Sequence, residues 1–431
     1  MNLLEQLSYN HAPGPEFEAY SAELAAGHGE LVRLIAYYLP QYHAIPENDA
    51  WWGKGFTEWT NVSKAIPRFS GHYQPHLPGE LGFYDLRLPQ VLRRQAELAR
   101  QYGIRGFCFH HYWFAGKTLL EAPIRSLLDH PDIDLPFCVN WANENWSRRW
   151  DGLENEVLMR QAHSPEDDIA FIASLEPMFR DRRYIRIDGR PLLMIYRPGL
   201  LPNAGKTVQR WRSHLRAAGL GDPYIVMAQA FGDSDPRTYG MDAAVGFPPH
   251  HAGWDATRIE ATLERFDPNY LGSVVAYDAM VQTALRNTPA DYRVFPGVCP
   301  NWDNEARKPG RGFCFLGSTP RKYGKWLLAA CRNALAAERG DERIVFINAW
   351  NEWAEGAHLE PDRHFGYAYL AETARALNAL SPPVQKAAGT RAVGTPNPPP
   401  TPRAAALLAA RTLARGVADI ADASARWLRK L

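Results

Sequence analysis

Hydrophobic and polar positions along the chain follow two alternating patterns. Short runs that are apolar, β-branched or aromatic recur at Leu34–Tyr38, Gly106–His110, Phe137–Trp141, Leu192–Tyr196, Tyr224–Gln229, Ala243–Val245, Val294–Val298 and Ile344–Trp350, each bounded by a turn or polar cluster. Between most of them lie stretches of helical period: Leu88–Tyr102 (with Val91, Leu92 and Leu98 on one side), Ile169–Phe179, Val208–Ala218 and Tyr323–Arg339. Runs without a polar face predict strands buried on both sides, and so a parallel sheet. Strand–helix alternation predicts an α/β fold, and eight strands is the number that closes a (β/α)8 TIM barrel. An open doubly wound sheet is the competing architecture. The sixth run is short, and the seventh contains Pro296, which has no N–H for a ladder. The stretches 39–88 and 141–190 are long loops, which in a barrel stand over the C-terminal face where substrates bind.

The two ends depart from this pattern. Residues 1–30 read as a largely helical N-terminal extension without chemistry of its own, leaving 31–380 as the catalytic domain. Segment 381–402 holds seven Pro and reads as an extended linker. In 403–431, Ala406, Ala410, Leu413, Val417, Ile420, Ser424, Trp427 and Leu431 form one stripe on a helix. The formal charge of +1 is a cancellation, because residues 382–431 carry eight Lys/Arg and two Asp and leave the remainder at −5. A near-zero total charge speaks against nucleic acid as a partner, an inference that the cancellation weakens only for the tail. The basic stripe suggests peripheral membrane contact through Arg403–Leu431, with helix–helix association or disorder as open alternatives. No run reaches the length of a membrane span, and the first residues lack a signal peptide's basic start and apolar core. Five widely spaced Cys suit reduced, buried thiols. The expected location is cytoplasmic, at most peripheral to the inner membrane.

The strongest chemical signal is Ile344–Glu360, reading IVFINAWNEWAEGAHLE. A strand runs directly into Asn351, Glu352, Trp353, Glu355 and His358. Glycosidic cleavage needs one carboxyl to protonate the leaving oxygen and another group to act at the anomeric side, and close like charges push one pKa upward. Glu352 and Glu355 are therefore the candidate catalytic pair; the alternative is a solvated helix N-terminus. A second acidic site follows the third strand in Asn140–Trp150, where Asn143 and Glu144 form an Asn-Glu pair. Glu144 is the runner-up acid, or else a loop carboxylate pairing Arg148 or Arg149. Ten of the fourteen Trp (Trp51, Trp52, Trp59, Trp113, Trp141, Trp146, Trp150, Trp302, Trp350 and Trp353) fall at or beyond strand ends. Rings placed there can stack on sugar faces while neighbouring polar groups hold hydroxyls, although some must be packing. The candidate glycan contacts are Tyr37, Tyr38, Trp51, Trp52, Trp59, His110, His111, Trp113, Asn140, Trp141, Asn143, Glu144, Trp302, Trp350, Asn351 and Trp353.

No metal and no cofactor is expected. His72 and His76 flank Pro75, which argues against a helix presenting both, and no Cys or carboxylate spacing completes a site. Asp132–Asp134 and Asp233–Asp235 match the Asp-x-Asp pattern of many nucleotide-sugar transferases, and there is no dinucleotide, phosphate-loop or nucleophile-elbow motif.

Segments Leu34–His43, Asn48–Val62, His110–Trp113, Asn140–Trp146 and Asn351–Gly356 resemble the WbsX-like glycosyltransferase family of bacterial polysaccharide and lipopolysaccharide O-antigen gene clusters. That family is similar to the endo-α-mannosidase family of glycoside hydrolases, which are (β/α)8 barrels. The resemblance covers about Leu31–Leu380. It implies an oligosaccharide or polysaccharide substrate, and retention through a 1,2-anhydro sugar. Glu352 would then deprotonate the substrate 2-hydroxyl, and Glu355 would protonate the leaving oxygen. A nucleotide-sugar glycosyltransferase and a non-catalytic glycan-binding barrel remain as alternatives.

Overall fold

The computed structural model describes residues 2–380 apart from 26–30, 149–152, 251, 255, 287–289 and 338–339. The expected linker and C-terminal helix lie outside the described residues, as do Arg149 and Trp150.

Nine segments form the central sheet: β1 (Arg33–Tyr38), β2 (Ile104–Phe114), β3 (Phe137–Trp141), β4 (Arg190–Ile195), β5 (Tyr224–Gln229), β6 (Ala243–Gly246), β7 (Val294–Phe295), β8 (Gly297–Val298) and β9 (Ile344–Ile347). Their order is β7-β6-β5-β4-β3-β2-β1-β9-β8, with every neighbour parallel. β7 and β8 are the two halves of the seventh predicted strand, divided at Pro296. The first half pairs with β6 and the second with β9, so one interrupted strand brings the sheet round to a TIM barrel. Pro296 donates nothing, but its carbonyl accepts from Phe346 N at 2.9 Å, which keeps the seam bonded. Gly297 is needed there, since a Cβ would lie 1.6 Å from the Gly246 carbonyl oxygen.

The fully apolar runs are buried as parallel strands require: all five residues of β3 and all four of β6 and β9 are buried. Each large aliphatic or aromatic side chain so enclosed contributes roughly 1.5–3 kcal/mol. Helices Pro89–Gln101, Pro165–Ser174, Ala204–Ala217 and Pro320–Leu335 occupy the expected crossovers. Three of them begin three or more residues before the apolar stripe does, because their caps are polar: Ser164, Asn203 and Thr319 accept from the N–H groups of Asp167, Lys206 and Lys322. β2 runs past its predicted end to Phe114 and folds back onto Lys117–Leu119, whereas β9 stops at Ile347 rather than Trp350. At the N-terminus, helix Leu3–His11 lies against the 72–74 loop, with Asn10 Nδ2 donating to the carbonyls of His72 and Gln74 at 2.9 Å each.

Candidate active site

Beyond β9 the chain forms a short hairpin. Asn351–Glu352 (β10) pairs antiparallel with Ala357–His358 (β11) around the 3-10 turn Trp353–Glu355. Asn351 ties its base down: the side chain accepts from Leu39 N at 2.7 Å and donates to Leu39 O at 3.0 Å. Trp353 anchors the rear, stacked on His358 at 3.8 Å and donating its indole N–H to Glu360 at 2.7 Å. Glu352 and Glu355 line a cavity of about 520 Å³ at the C-terminal mouth of the barrel.

Both carboxyls are held by Arg307, which donates to Glu352 Oε2 at 2.9 Å and to Glu355 Oε1 at 2.5 Å. The same guanidinium donates twice to Glu58 Oε2, at 2.9 and 2.6 Å, and Asn61 fixes the other Glu58 oxygen. Three carboxyls therefore surround one guanidinium in a largely water-excluded place. Burial pushes Glu352 up to about 8; Arg307 opposes the shift, while Glu355 and Glu58 add to it. Burial shifts Glu355 in the same direction, again against Arg307. Two carboxyls coupled in this way titrate as a pair and hold a proton near neutral pH, which is the condition for acid–base work.

His110 faces Glu352, with Nε2 3.7 Å from Oε1. Asn140 Nδ2 donates to His110 Nδ1 at 3.2 Å, which puts the ring proton on Nε2, toward the cavity. Burial, followed by Arg307, lowers the His110 pKa to about 4, so the ring is a neutral hydrogen-bond donor at physiological pH. Across the cavity Glu144 accepts from Arg197 Nη1 at 2.5 Å. Trp52, Trp146, Trp254 and Trp302 give the walls flat aromatic surface, and Tyr112, Tyr196 and His250 add polar edges.

Strand alternation determines which candidates reach this space. On β2, His110 and Tyr112 line the cavity, while His111 and Trp113 pack against Phe171, and Trp113 donates to Asp167. On β1, Tyr37 stacks beneath His110 with its hydroxyl on Met194 Sδ, and Tyr38 turns outward to donate to Gln95. Trp141 stacks on Phe171 at 4.2 Å and Trp350 packs on Phe107 at 4.9 Å. Trp59 spends its indole N–H on Tyr84 O, and Asn143 spends its amide on the Arg197 backbone. Trp51 meets Trp146 edge-on at 5.8 Å behind the cavity wall. Thus Glu352, Glu355, His110, Glu144, Trp52 and Trp302 line the cavity, Asn140 orients His110, and the rest form the surrounding core.

Arg307 and Glu58 were not among the sequence candidates. Glu58 stands in the Asn48–Val62 segment beside Trp59, but Arg307 lies in an irregular loop with no local pattern. That loop is placed by its backbone: Asp303 N donates to Glu355 O at 2.6 Å, and Phe315 N to Trp302 O at 2.9 Å. The Asp-x-Asp segments are engaged elsewhere. Asp132 and Asp134 pair with Arg93 and Arg100; Asp233 accepts from Tyr239, and Asp235 from Arg237.

Comparison with known proteins agrees with this architecture. WxcX from two strains of Xanthomonas campestris pv. campestris is 48% identical over 378 residues, covering 85% of this chain. The chain spans about half the length of these curated relatives, 54%. The GH99 endo-α-mannosidase of Bacteroides thetaiotaomicron superposes with a TM-score of 0.51 at 16% identity, covering 82% of this chain and 98% of that one. A glycoside hydrolase-like protein gives a TM-score of 0.53 at 16% identity, covering 88% and 99%. At such identities the likeness speaks for the fold. The family model of glycosyltransferase WbsX matches residues 34–373, from the first barrel strand into helix Ala368–Asn378, the last among the described residues, and the chain belongs to that family.

Proposed function

We propose that this chain is a carbohydrate-active enzyme that cleaves or transfers α-glycosidic linkages in a bacterial surface polysaccharide or its precursor, with retention. The observation that carries the reading is the Glu352–Glu355 pair, set on one hairpin at the mouth of the barrel and bridged by Arg307 over an aromatic-walled cavity. In the first step Glu352 takes the proton of the substrate 2-hydroxyl, and that oxygen forms a bond to C1. The bond from C1 to the leaving oxygen breaks as Glu355 gives that oxygen its proton. In the second step water or an acceptor hydroxyl loses its proton to Glu355 and opens the 1,2-anhydro ring at C1, while Glu352 returns the proton to O2. Two inversions at C1 give net retention. A raised proton affinity makes Glu352 a stronger base once it is ionised, and burial shifts Glu355 in the direction an acid role needs.

The family's description as glycosyltransferases favours transfer to an acceptor sugar over hydrolysis. The test is incubation with polysaccharide from the chain's own gene neighbourhood in ¹⁸O-water, with and without acceptor oligosaccharides, and product analysis by mass. Glu352→Gln and Glu355→Gln should each reduce turnover by about 10²-fold or more while the fold is retained. Undiminished turnover in both variants would refute the mechanism and turn attention to Glu144.

A further inference from the structure

On the rear of the catalytic hairpin three side chains from separate segments meet: His76 from the loop after β1, His358 from β11, and Asp362 just beyond it. Ligand atoms of the three lie within 4.8 Å of one another, and all three are buried, at 2–3% exposure. His76 Nδ1 is 3.0 Å from His358 Nε2, a ring-to-ring hydrogen bond that a bound ion would replace, and His358 Nε2 is 3.7 Å from Asp362 Oδ2. They border a cavity of about 280 Å³.

We propose that His76, His358 and Asp362 form a binding site for a divalent first-row cation, with Zn²⁺ the simplest occupant. Four observations support this. A tetrahedral ion about 2.0–2.1 Å from its ligands holds them about 3.3 Å apart, and the two separations fall on either side of that value. His358 Nδ1 faces the Glu360 carbonyl at 3.1 Å and so carries the ring proton, which leaves an Nε2 lone pair toward the site, the usual support of a metal-bound imidazole. Asp362 is aimed in the same way, by Phe365 N at 2.5 Å on Oδ1 and Tyr73 Oη at 3.0 Å on Oδ2. Among the described residues no Lys or Arg forms an ion pair with it, and a buried anion is costly without a cation. Finally, His76 Nε2 is buried with no hydrogen-bond partner. With Nδ1 on the ion, the proton on Nε2 needs only a water, for which the cavity has room.

The neighbouring set His72, Asp303 and Cys314 is closed by comparison. His72 Nε2 lies 2.6 Å from Asp303 Oδ2, well under the roughly 3.3 Å that a tetrahedral ion imposes on its ligands, and Gln74 donates to the same oxygen at 2.9 Å. An ion at His76–His358–Asp362 has a structural task. His358 stacks on Trp353 and pairs across from Asn351, so the ion staples the Glu352–Glu355 hairpin to the 72–76 loop.

The test uses the full chain, stripped with chelator, dialysed, and loaded with Zn²⁺ or Co²⁺. The expected result is one equivalent of ion by elemental analysis, a raised Tm, and the visible absorption of a four-coordinate Co²⁺ site. Asp362→Asn and His358→Gln should lose that equivalent, while Cys314→Ser and Glu352→Gln keep it. If His358→Gln does not fold, His76→Gln replaces it, because that variant leaves the Trp353 stack intact. The proposal is overturned if the folded, stripped chain takes up no ion at micromolar zinc. It is equally overturned if His76→Gln and Asp362→Asn retain the equivalent, or if Cys314→Ser abolishes it.

Discussion

Arg307→Met removes the cation on which Glu58, Glu352 and Glu355 converge, and the cost should depend on pH in a way ordinary packing damage does not. In the native chain four hydrogen bonds run from this one guanidinium to three carboxyls. Removing one partner of a buried ion pair costs about 3–5 kcal/mol, a large share of a total stability of about 5–15 kcal/mol. The carboxyls can escape that cost by taking protons. Arg307 lowers the proton affinity of both Glu352 and Glu355, so its loss raises their folded pKa values further. A carboxyl whose folded pKa is raised contributes stability at low pH that is lost as pH rises through the folded value. The variant's deficit should therefore be smallest near pH 5 and grow as pH rises past about 8, where Glu352 ionises in the native chain but keeps its proton in the variant. Urea unfolding of both proteins at pH 5, 7 and 8.5 measures it, with Arg307→Lys as the charge-keeping control that lacks the planar fork. Adding Glu58→Gln should recover part of the loss, because it removes one of the stranded charges. A deficit no larger at pH 8.5 than at pH 5 would refute the charge argument.

The remaining predictions are narrower. If Glu352 must be ionised to accept the 2-hydroxyl proton, kcat/KM should rise with pH toward about 8; a limb falling through 8 would instead make Glu352 the acid. Glu352 takes up a proton on folding, so it withdraws stability as pH rises from about 4.5 through about 8, whereas His110 and His111, lowered to about 4, withdraw stability as pH falls from 6.5 toward 4. Thermal melts of Glu352→Gln against the native chain should show a smaller loss of stability between about pH 6.5 and 8, where the two histidines no longer contribute a slope. Asn351→Ala strands the buried Leu39 N–H and C=O and should cost about 1–3 kcal/mol in urea unfolding, lowering activity by loosening the hairpin. Trp302→Ala should raise the Kd for oligosaccharide in calorimetry and, because the ring is only 4% exposed, also lower stability in urea unfolding. Trp141→Ala should cost about 3–5 kcal/mol of folding free energy and alter binding only indirectly.

Parallel strands buried on both faces must be apolar throughout, so the run of barrel strands was legible from local pattern alone, as was the delivery of Glu352 and Glu355 to a strand's end. Pro296 marked in advance the place where the seventh strand is divided. Helix starts were read too late, because Ser164, Asn203 and Thr319 are polar and belong to no stripe. Among the aromatic candidates, local sequence could identify a strand-end cluster but could not separate Trp302, on the cavity wall, from Trp141 and Trp350 in the core. Those assignments depend on strand register and on which helix covers which face. His110 and His111 show the limit most sharply: adjacent in sequence and alike in chemistry, they are sent to opposite sides by the two-residue period of β2. Arg307 and Glu58 are 249 residues apart, and no spacing rule links them. The succession of buried strands along the chain and the presence of strand-end acids thus follow from the chain's own periodicity. Which charges meet, and so which proton affinities shift, was decided by loops whose positions come from long-range backbone hydrogen bonds and burial rather than from any repeating pattern.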